Sequence, residues 1–202
     1  DNLDKHETEN HLVKKSKDGD IEAFEKLVEG YQSKVFNISL RMMGNYEDAN
    51  DLSQEVFLRV YKSLKGFKEQ SSFSTWIYRI TRNVCLDELR KRKNKNVVYL
   101  DEDIALNDGE VSRQLESNDE SPDVIAERNE IKEYISKAIN LLSDEHKIVI
   151  VLRDIQGFSY DEIAEIIDCP EGTVKSRINR ARKHLREIIK SRWELITSEI
   201  VK

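Results

Sequence analysis

Residues 159–186 read SYDEIAEIIDCPEGTVKSRINRARKHLR, and this stretch decides the fold because it spells two short helices joined by a tight turn. Ser159 is placed to cap the first helix, and Glu162 three residues later completes a capping box. Ile163, Ala164 and Ile167 recur at helical spacing, and the small Ala164 lets a second helix cross closely. Asp168-Cys169-Pro170 interrupts the run; because proline is tolerated only in the first turn of a helix, the second helix opens beside Pro170. Val174, Ile178 and Ala181 form its inward stripe. Its other faces are cationic: from Thr173 to Arg192, Lys175, Arg177, Arg180, Arg182, Lys183, Arg186, Lys190 and Arg192 stand against the single acid Glu187. Such a helix can enter the major groove, with Lys175, Ser176, Asn179 and Arg180 on base edges and other cations on phosphates. A basic amphipathic helix is also an ordinary solvated face, but here cap, turn and one-sided charge coincide, and together they favour DNA binding.

Outward from this stretch, composition sets the class. The chain has 202 residues, 36% of them charged, with only 7 glycines and 2 prolines, which favours a helical protein with strongly solvated faces. The formal net charge of -6 is unusual for a nucleic-acid binder; segregation resolves it, because cations and acids cluster in different stretches. Cys85 and Cys169 belong to no paired motif, so reduced thiols are expected and neither a disulfide, a metal site nor a cofactor. No apolar run approaches the roughly 20 residues of a membrane span and no secretory leader is recognisable, so the expectation is a cytoplasmic protein.

Taken in order, the first ten residues are polar and read as a frayed start. Asp20 is a plausible cap for a helix with Phe24, Leu27, Val28, Tyr31, Val35 and Ile38 inward, ended by Gly44-Asn45. A second helix from about Tyr46 to Leu64 turns Ala49, Leu52, Val56, Val60 and Leu64 inward, while Asp48, Asp51 and Glu55 line an outer stripe with Gln54 and Leu58 beside them. That stripe is either a solvated face or a docking surface for a basic partner. FSTWIYRITRNVCLDELRKRK (73–93) follows, a helix with Phe73, Ile77, Ile80, Val84 and Leu89 inward and Arg79, Arg82, Asn83 and Arg90 on another face. Phe67, Phe73, Trp76 and Tyr78 interleave with these cations, the composition of a platform for single-stranded nucleic acid, although Phe73 reads as core. Between Asp101 and Asp123 nine acids face one base, Arg113, which reads as an extended linker. Ser121-Pro122 then opens a helix with Val124, Ile131, Ile135, Ala138 and Leu142 inward, and Ser143 caps another that runs to Ile155. The expectation is an all-α chain of two small domains, 1–96 and 123–202, joined by an acidic linker over 97–122.

DANDLSQEVFLRVYKSLKGF (48–67), FSTWIYRITRNVCLDELRKRK (73–93), the acidic stretch and CPEGTVKSRINRARKHLR (169–186) together resemble the extracytoplasmic-function sigma factors of bacteria, over roughly residues 19–189. The resemblance implies regions two and four of that family without the intervening domain, no enzymatic activity, and core RNA polymerase, promoter DNA and an anti-sigma factor as partners. It implies that Asp48, Asp51, Gln54, Glu55 and Leu58 dock on the clamp helices of the largest polymerase subunit. Phe67, Trp76, Arg79 and Asn83 match the minus-ten readers, with Arg90, Arg92 and their neighbours on backbone phosphates. Lys175, Ser176, Asn179 and Arg180 match the minus-thirty-five readers, with Arg177 among them and Arg153 and Thr173 as phosphate contacts. Two other readings stand beside this one. A dimeric helix-turn-helix regulator would leave the acidic stripe, the aromatic-basic helix and the linker unused. An enzyme holding Mg²⁺ on Asp48, Asp51 and Glu55 would place its ligands on one exposed helix turn with no converging group.

Overall fold

Ser72 caps the central helix of the molecule: its Oγ accepts from Thr75 N–H at 3.1 Å, and α5, Phe73–Val98, carries the chain through the middle of the N-terminal half. The computed structural model describes residues 2–98 and 122–200, with side chains over 8–95 and 130–191. The acidic linker and the apolar side chains after Trp193 therefore lie outside the described residues. Among the described residues the regular structure is entirely helical, as the all-α reading expects.

Four helices precede α5. The polar N-terminus, expected to fray, is instead α1, Asn2–Lys17. Its anchors are tertiary: Val13 is buried and the Tyr31 hydroxyl donates to Glu9, while Ser16 bonds back to the Leu12 carbonyl within the helix. A helix that buries so few apolar side chains leaves no periodic signature. The single helix expected from Asp20 to Gly44 is broken at Gly30-Tyr31 into α2, Ile21–Glu29, and α3, Gln32–Met43. The break lets Tyr31 turn inward against the rings of Phe73 and Tyr78 at 5.4 and 5.8 Å. Asp20 caps α2 as expected, accepting from Ala23 N–H at 3.0 Å. Then α4, Tyr46–Ser63, is capped by Asn45 and buries Ala49, Leu52, Val56 and Val60, and a 3₁₀ turn, Leu64–Gly66, leads towards α5.

The C-terminal half holds α6, Pro122–Asn140, α7, Asp144–Ile150, a π-helical turn, Val151–Ile155, α8, Tyr160–Ile167, and α9, Glu171–Ile200. Among the described side chains the inward stripe expected for α6 holds only at its end; Val124 lies outside them. Ala138 and Leu142 are buried, but Ile131 and Ile135 are 52% and 41% exposed, because the earlier turns run past the domain with α9 as their neighbour. Tyr134 ties the two helices together by donating to the Ile189 carbonyl at 2.8 Å.

The two halves are not separate bodies. α3 and α5 pack against α7, α8 and the π-helical turn, and one apolar core runs through both halves. Phe158, 5% exposed, enters from the loop before α8 and meets Tyr78 edge-on at 4.9 Å, while the Lys34 ammonium lies 4.8 Å above its ring. Gly44 closes α3 in the left-handed region, at φ 85°, and Asn140 of the C-terminal half approaches so closely that an added Cβ would meet its Nδ2 at 3.1 Å. Glycine serves here for both reasons.

Candidate nucleic-acid interface

α8 and α9 build the helix-turn-helix from the residues that spell it. Both arms of the capping box form: Ser159 Oγ accepts from Glu162 N–H at 3.2 Å, and Ser159 N–H donates to Glu162 Oε2 at 2.7 Å. Ile163, Ile166 and Ile167 are buried, and Asp168 ends α8 in the left-handed region at φ 55°. Aspartate tolerates that region better than most residues. The Pro170 carbonyl accepts from Thr173 and Val174 N–H, starting α9, whose Val174, Ile178 and Ala181 are wholly buried.

That packing leaves Thr173, Lys175, Ser176, Asn179 and Arg180 exposed along the start of α9. Lys175 pairs with Glu171, which raises its pKa, and lies 5.6 Å above the Tyr160 ring. Arg177 is half-buried and faces Glu145 at 3.8 Å. Arg153 does not join the exposed set: its Nη1 donates to the Phe158 carbonyl at 2.6 Å, and its guanidinium stacks 4.6 Å over Tyr160. In this conformation it holds the loop before α8 in place.

The aromatic set on α5 is mostly internal. Phe67, Phe73 and Tyr78 are 7%, 3% and 5% exposed, so Trp76 is the ring left half-open, resting on Phe67 at 4.8 Å. Asn83 is exposed and lines an open groove of about 370 Å³ with Arg59, Lys62, Ser63 and Ile80. The sequence reading missed Arg59, Lys62 and Ser63 as neighbours of Asn83; they lie on α4, and no spacing along one helix reveals a groove between two. Arg79 points the other way, with Nη2 donating to the Glu165 carbonyl of α8 at 2.7 Å. Arg90 is exposed and pairs with Asp87 at 3.4 Å.

The acidic stripe on α4 is partly spoken for. Asp48 Oδ2 receives Arg92 Nη1 at 2.6 Å, and Arg92 also reaches Glu88 at 3.0 Å. The hydrogen bond from Arg92, with a smaller one from Asn45, holds the Asp48 carboxyl below its usual range, and the same pair raises Arg92. Glu55 is bound by Arg59 at 2.7 Å. Asp51, Gln54 and Leu58 project to solvent. With two of three carboxylates held by guanidinium groups, the stripe is a poor cation ligand set and a plausible half of an ion-pairing surface.

Family comparison accounts for both halves at once. Residues 27–95 match Sigma-70 region 2 and residues 132–185 match Sigma-70 region 4. The ECF RNA polymerase sigma factor SigW of Bacillus subtilis is 38% identical over 176 residues, spanning 87% of this chain and 93% of that protein. This chain belongs to the extracytoplasmic-function sigma factors. The ECF RNA polymerase sigma-E factor of Haemophilus influenzae is 36% identical over 185 residues, 90% of this chain and 95% of that one. Among solved structures, the sigma factor RpoE of Bartonella quintana, in complex with the anti-sigma factor NepR, superposes with a TM-score of 0.64 at 25% identity, covering 84% of this chain and 98% of that one. CnrH, in complex with the cytosolic domain of CnrY, shares the fold with a TM-score of 0.63 at 23% identity over 91% and 98% of the two chains.

As a sigma factor, the chain carries its region two from the end of α2 into α5, residues 27–95, and its region four from within α6 into α9, residues 132–185. No helix among its described residues is long and apolar enough to cross a membrane.

Proposed function

We propose that this chain binds bacterial core RNA polymerase in the cytoplasm and, without catalysing a reaction itself, directs the polymerase to promoters. Asp51, Gln54 and Leu58, flanked by the paired Asp48 and Glu55, present the docking face for a basic helical surface of the polymerase. Lys175, Ser176, Asn179 and Arg180 read the minus-thirty-five duplex through the major groove, with Thr173 and Arg177 towards phosphates. Trp76 offers a ring face and Asn83 a polar rim for bases of the minus-ten strand, while Arg59, Lys62 and Arg90 surround them with positive charge. The observation that carries this reading is the exposed start of α9, where Lys175, Ser176, Asn179 and Arg180 all reach solvent above a fully buried stripe.

Magnitudes explain why a polymerase partner is required. Opening about ten base pairs at about 1.4 kcal/mol per step costs on the order of 14 kcal/mol. Two captured bases return about 1 to 3 kcal/mol each. The free chain therefore melts nothing alone, and the remaining interactions come from the polymerase. An anti-sigma factor is the expected regulator, as the complex of the Bartonella quintana sigma factor suggests by analogy.

Run-off transcription with purified core polymerase on a library of promoter fragments tests the reading. Promoter-specific transcripts that require the added chain support it. Silence, together with no core binding in a pulldown and a tight homodimer in solution, would favour an ordinary dimeric regulator.

A further inference from the structure

Two grooves meet on the flank of region two, and one residue borders both. α4 and α5 enclose a polar groove of about 260 Å³ in which Asp48, Asp51 and Glu55 of α4 face Asp87 and Glu88 of α5. The groove of about 370 Å³ beside it holds Asn83 with Lys62, Ser63 and Ile80. Arg59 lines the first and the second alike. Its guanidinium, on a long flexible stem, passes from one groove to the other by side-chain rotation alone, with no movement of either helix.

In the chain alone that guanidinium is committed to the acidic side. Arg59 Nε donates to Glu55 Oε1 at 2.7 Å, and Nη1 stands 3.7 Å from Asp87 Oδ2. Asp87 also takes Arg90 at 3.4 Å, and Asp48 takes Arg92 at 2.6 Å. Carboxylates that face a basic partner and cations that face the minus-ten strand are therefore each other's counter-ions. The Arg59 and Glu55 side chains are 41% and 40% exposed, which leaves their pair open to exchange. Releasing one such exposed pair is worth about two- to fivefold in an equilibrium constant.

We propose that Arg59 couples the two grooves: a basic partner that takes Glu55 and Asp87 frees the Arg59 guanidinium to swing into the Asn83 groove, where it meets a phosphate or base edge of the unpaired strand. This rests on the docking and minus-ten faces proposed above. Before docking, Glu55 and Asp87 together outweigh the one cation they share, so the mouth of the Asn83 groove carries less positive charge than its arginine and lysine imply. After docking, the partner's cations satisfy the carboxylates and Arg59 turns to the strand, forming a charge-assisted contact in place of the one it gave up. Docking thereby strengthens strand capture. Because coupling between two sites is reciprocal, a captured strand strengthens docking by the same factor.

Two charge-matched variants test the exchange in the full-length chain, with a short fluorescent single-stranded DNA of mixed sequence as the probe. Glu55→Gln releases Arg59 without any partner, whereas Asp51→Asn removes the same charge one turn earlier on α4 without touching an Arg59 contact. Neither position is buried, so the fold should be kept, as circular dichroism would read. By anisotropy, affinity for the probe should rise about threefold more for Glu55→Gln than for Asp51→Asn. In an Arg59→Gln background the two substitutions should act equally, because the group that moves is gone. Equal gains in the parent background would overturn the proposal, as would an excess for Glu55→Gln that survives Arg59→Gln, which simple charge removal near the groove would give. Pulldown with core polymerase separates this from the functional reading: a parent chain that captures no core overturns that reading, while an excess that Arg59→Gln abolishes still supports the exchange.

Discussion

Lys147 is the buried cation of the domain interface, 5% exposed, and its replacement by methionine should stabilise the chain at neutral pH. Burial lowers its pKa from 10.5 to about 8, against the opposing pull of Asp144 and Cys85 and with a small contribution from Lys93. A difference of about 2.5 units corresponds to roughly 3 kcal/mol of cost for keeping the ammonium charged in place. Methionine removes that cost but leaves the Met42 carbonyl without its donor, a loss of about 1 kcal/mol, so the net gain is about 2 kcal/mol at pH 7. The sign with pH follows from linkage. Because the folded pKa is depressed, the unfolded chain binds more protons between about pH 8 and 10.5, and the stability of the unaltered chain rises through that window. The gap between the two chains should therefore shrink by about 1 kcal/mol from pH 7 to pH 9. Burial pushes the Cys85 thiol up to about 12, and a Cys85→Ala background in both chains removes its opposing titration from the comparison. Urea unfolding at pH 7, 8 and 9 reads both numbers. A variant less stable than the parent at pH 7, or a gap that does not change with pH, would refute the reasoning by showing that the amine is not desolvated.

Other outcomes follow from the same geometry. Arg180→Ala should weaken binding to minus-thirty-five duplex by about 1 to 3 kcal/mol, read by anisotropy at fixed salt. Asn83→Ala should slow promoter opening more than duplex binding, and a template with a pre-opened bubble should expose the difference, since Arg180→Ala affects anchoring on both templates. Ser159→Ala breaks the capping box and should cost about 1 kcal/mol in thermal or urea unfolding. Gly44→Ala meets both a left-handed backbone and the Asn140 amide, so it should lower stability by about 1 kcal/mol or more in urea unfolding.

Much of region four was legible because its signals are local. A capping box, a proline turn and a 3.6-residue stripe each lie within one helix or its end, and Ser159, Pro170, Val174, Ile178 and Ala181 behave as their spacing implies. The inward face of α4 was legible for the same reason. Misreadings came where distant residues decide. α1 is held by Tyr31 and its own few buried side chains, the break at Gly30 serves the aromatic cluster of Tyr31, Phe73 and Tyr78, and on α6 it is Tyr134 that reaches α9 while Ile131 and Ile135 stay exposed.

The sequence by itself determined a helical fold, two basic stretches and the family to which they belong. Backbone propensity, capping and charge are properties of neighbours along the chain, and they survive any rearrangement of the halves. Only the tertiary structure decided that Arg92 neutralises Asp48, that Arg59 and Lys62 share a groove with Asn83, and that Arg79 and Thr75 face Glu165. Those pairings join residues dozens of positions apart, and they depend on how helices pack, which no periodicity within a single helix encodes.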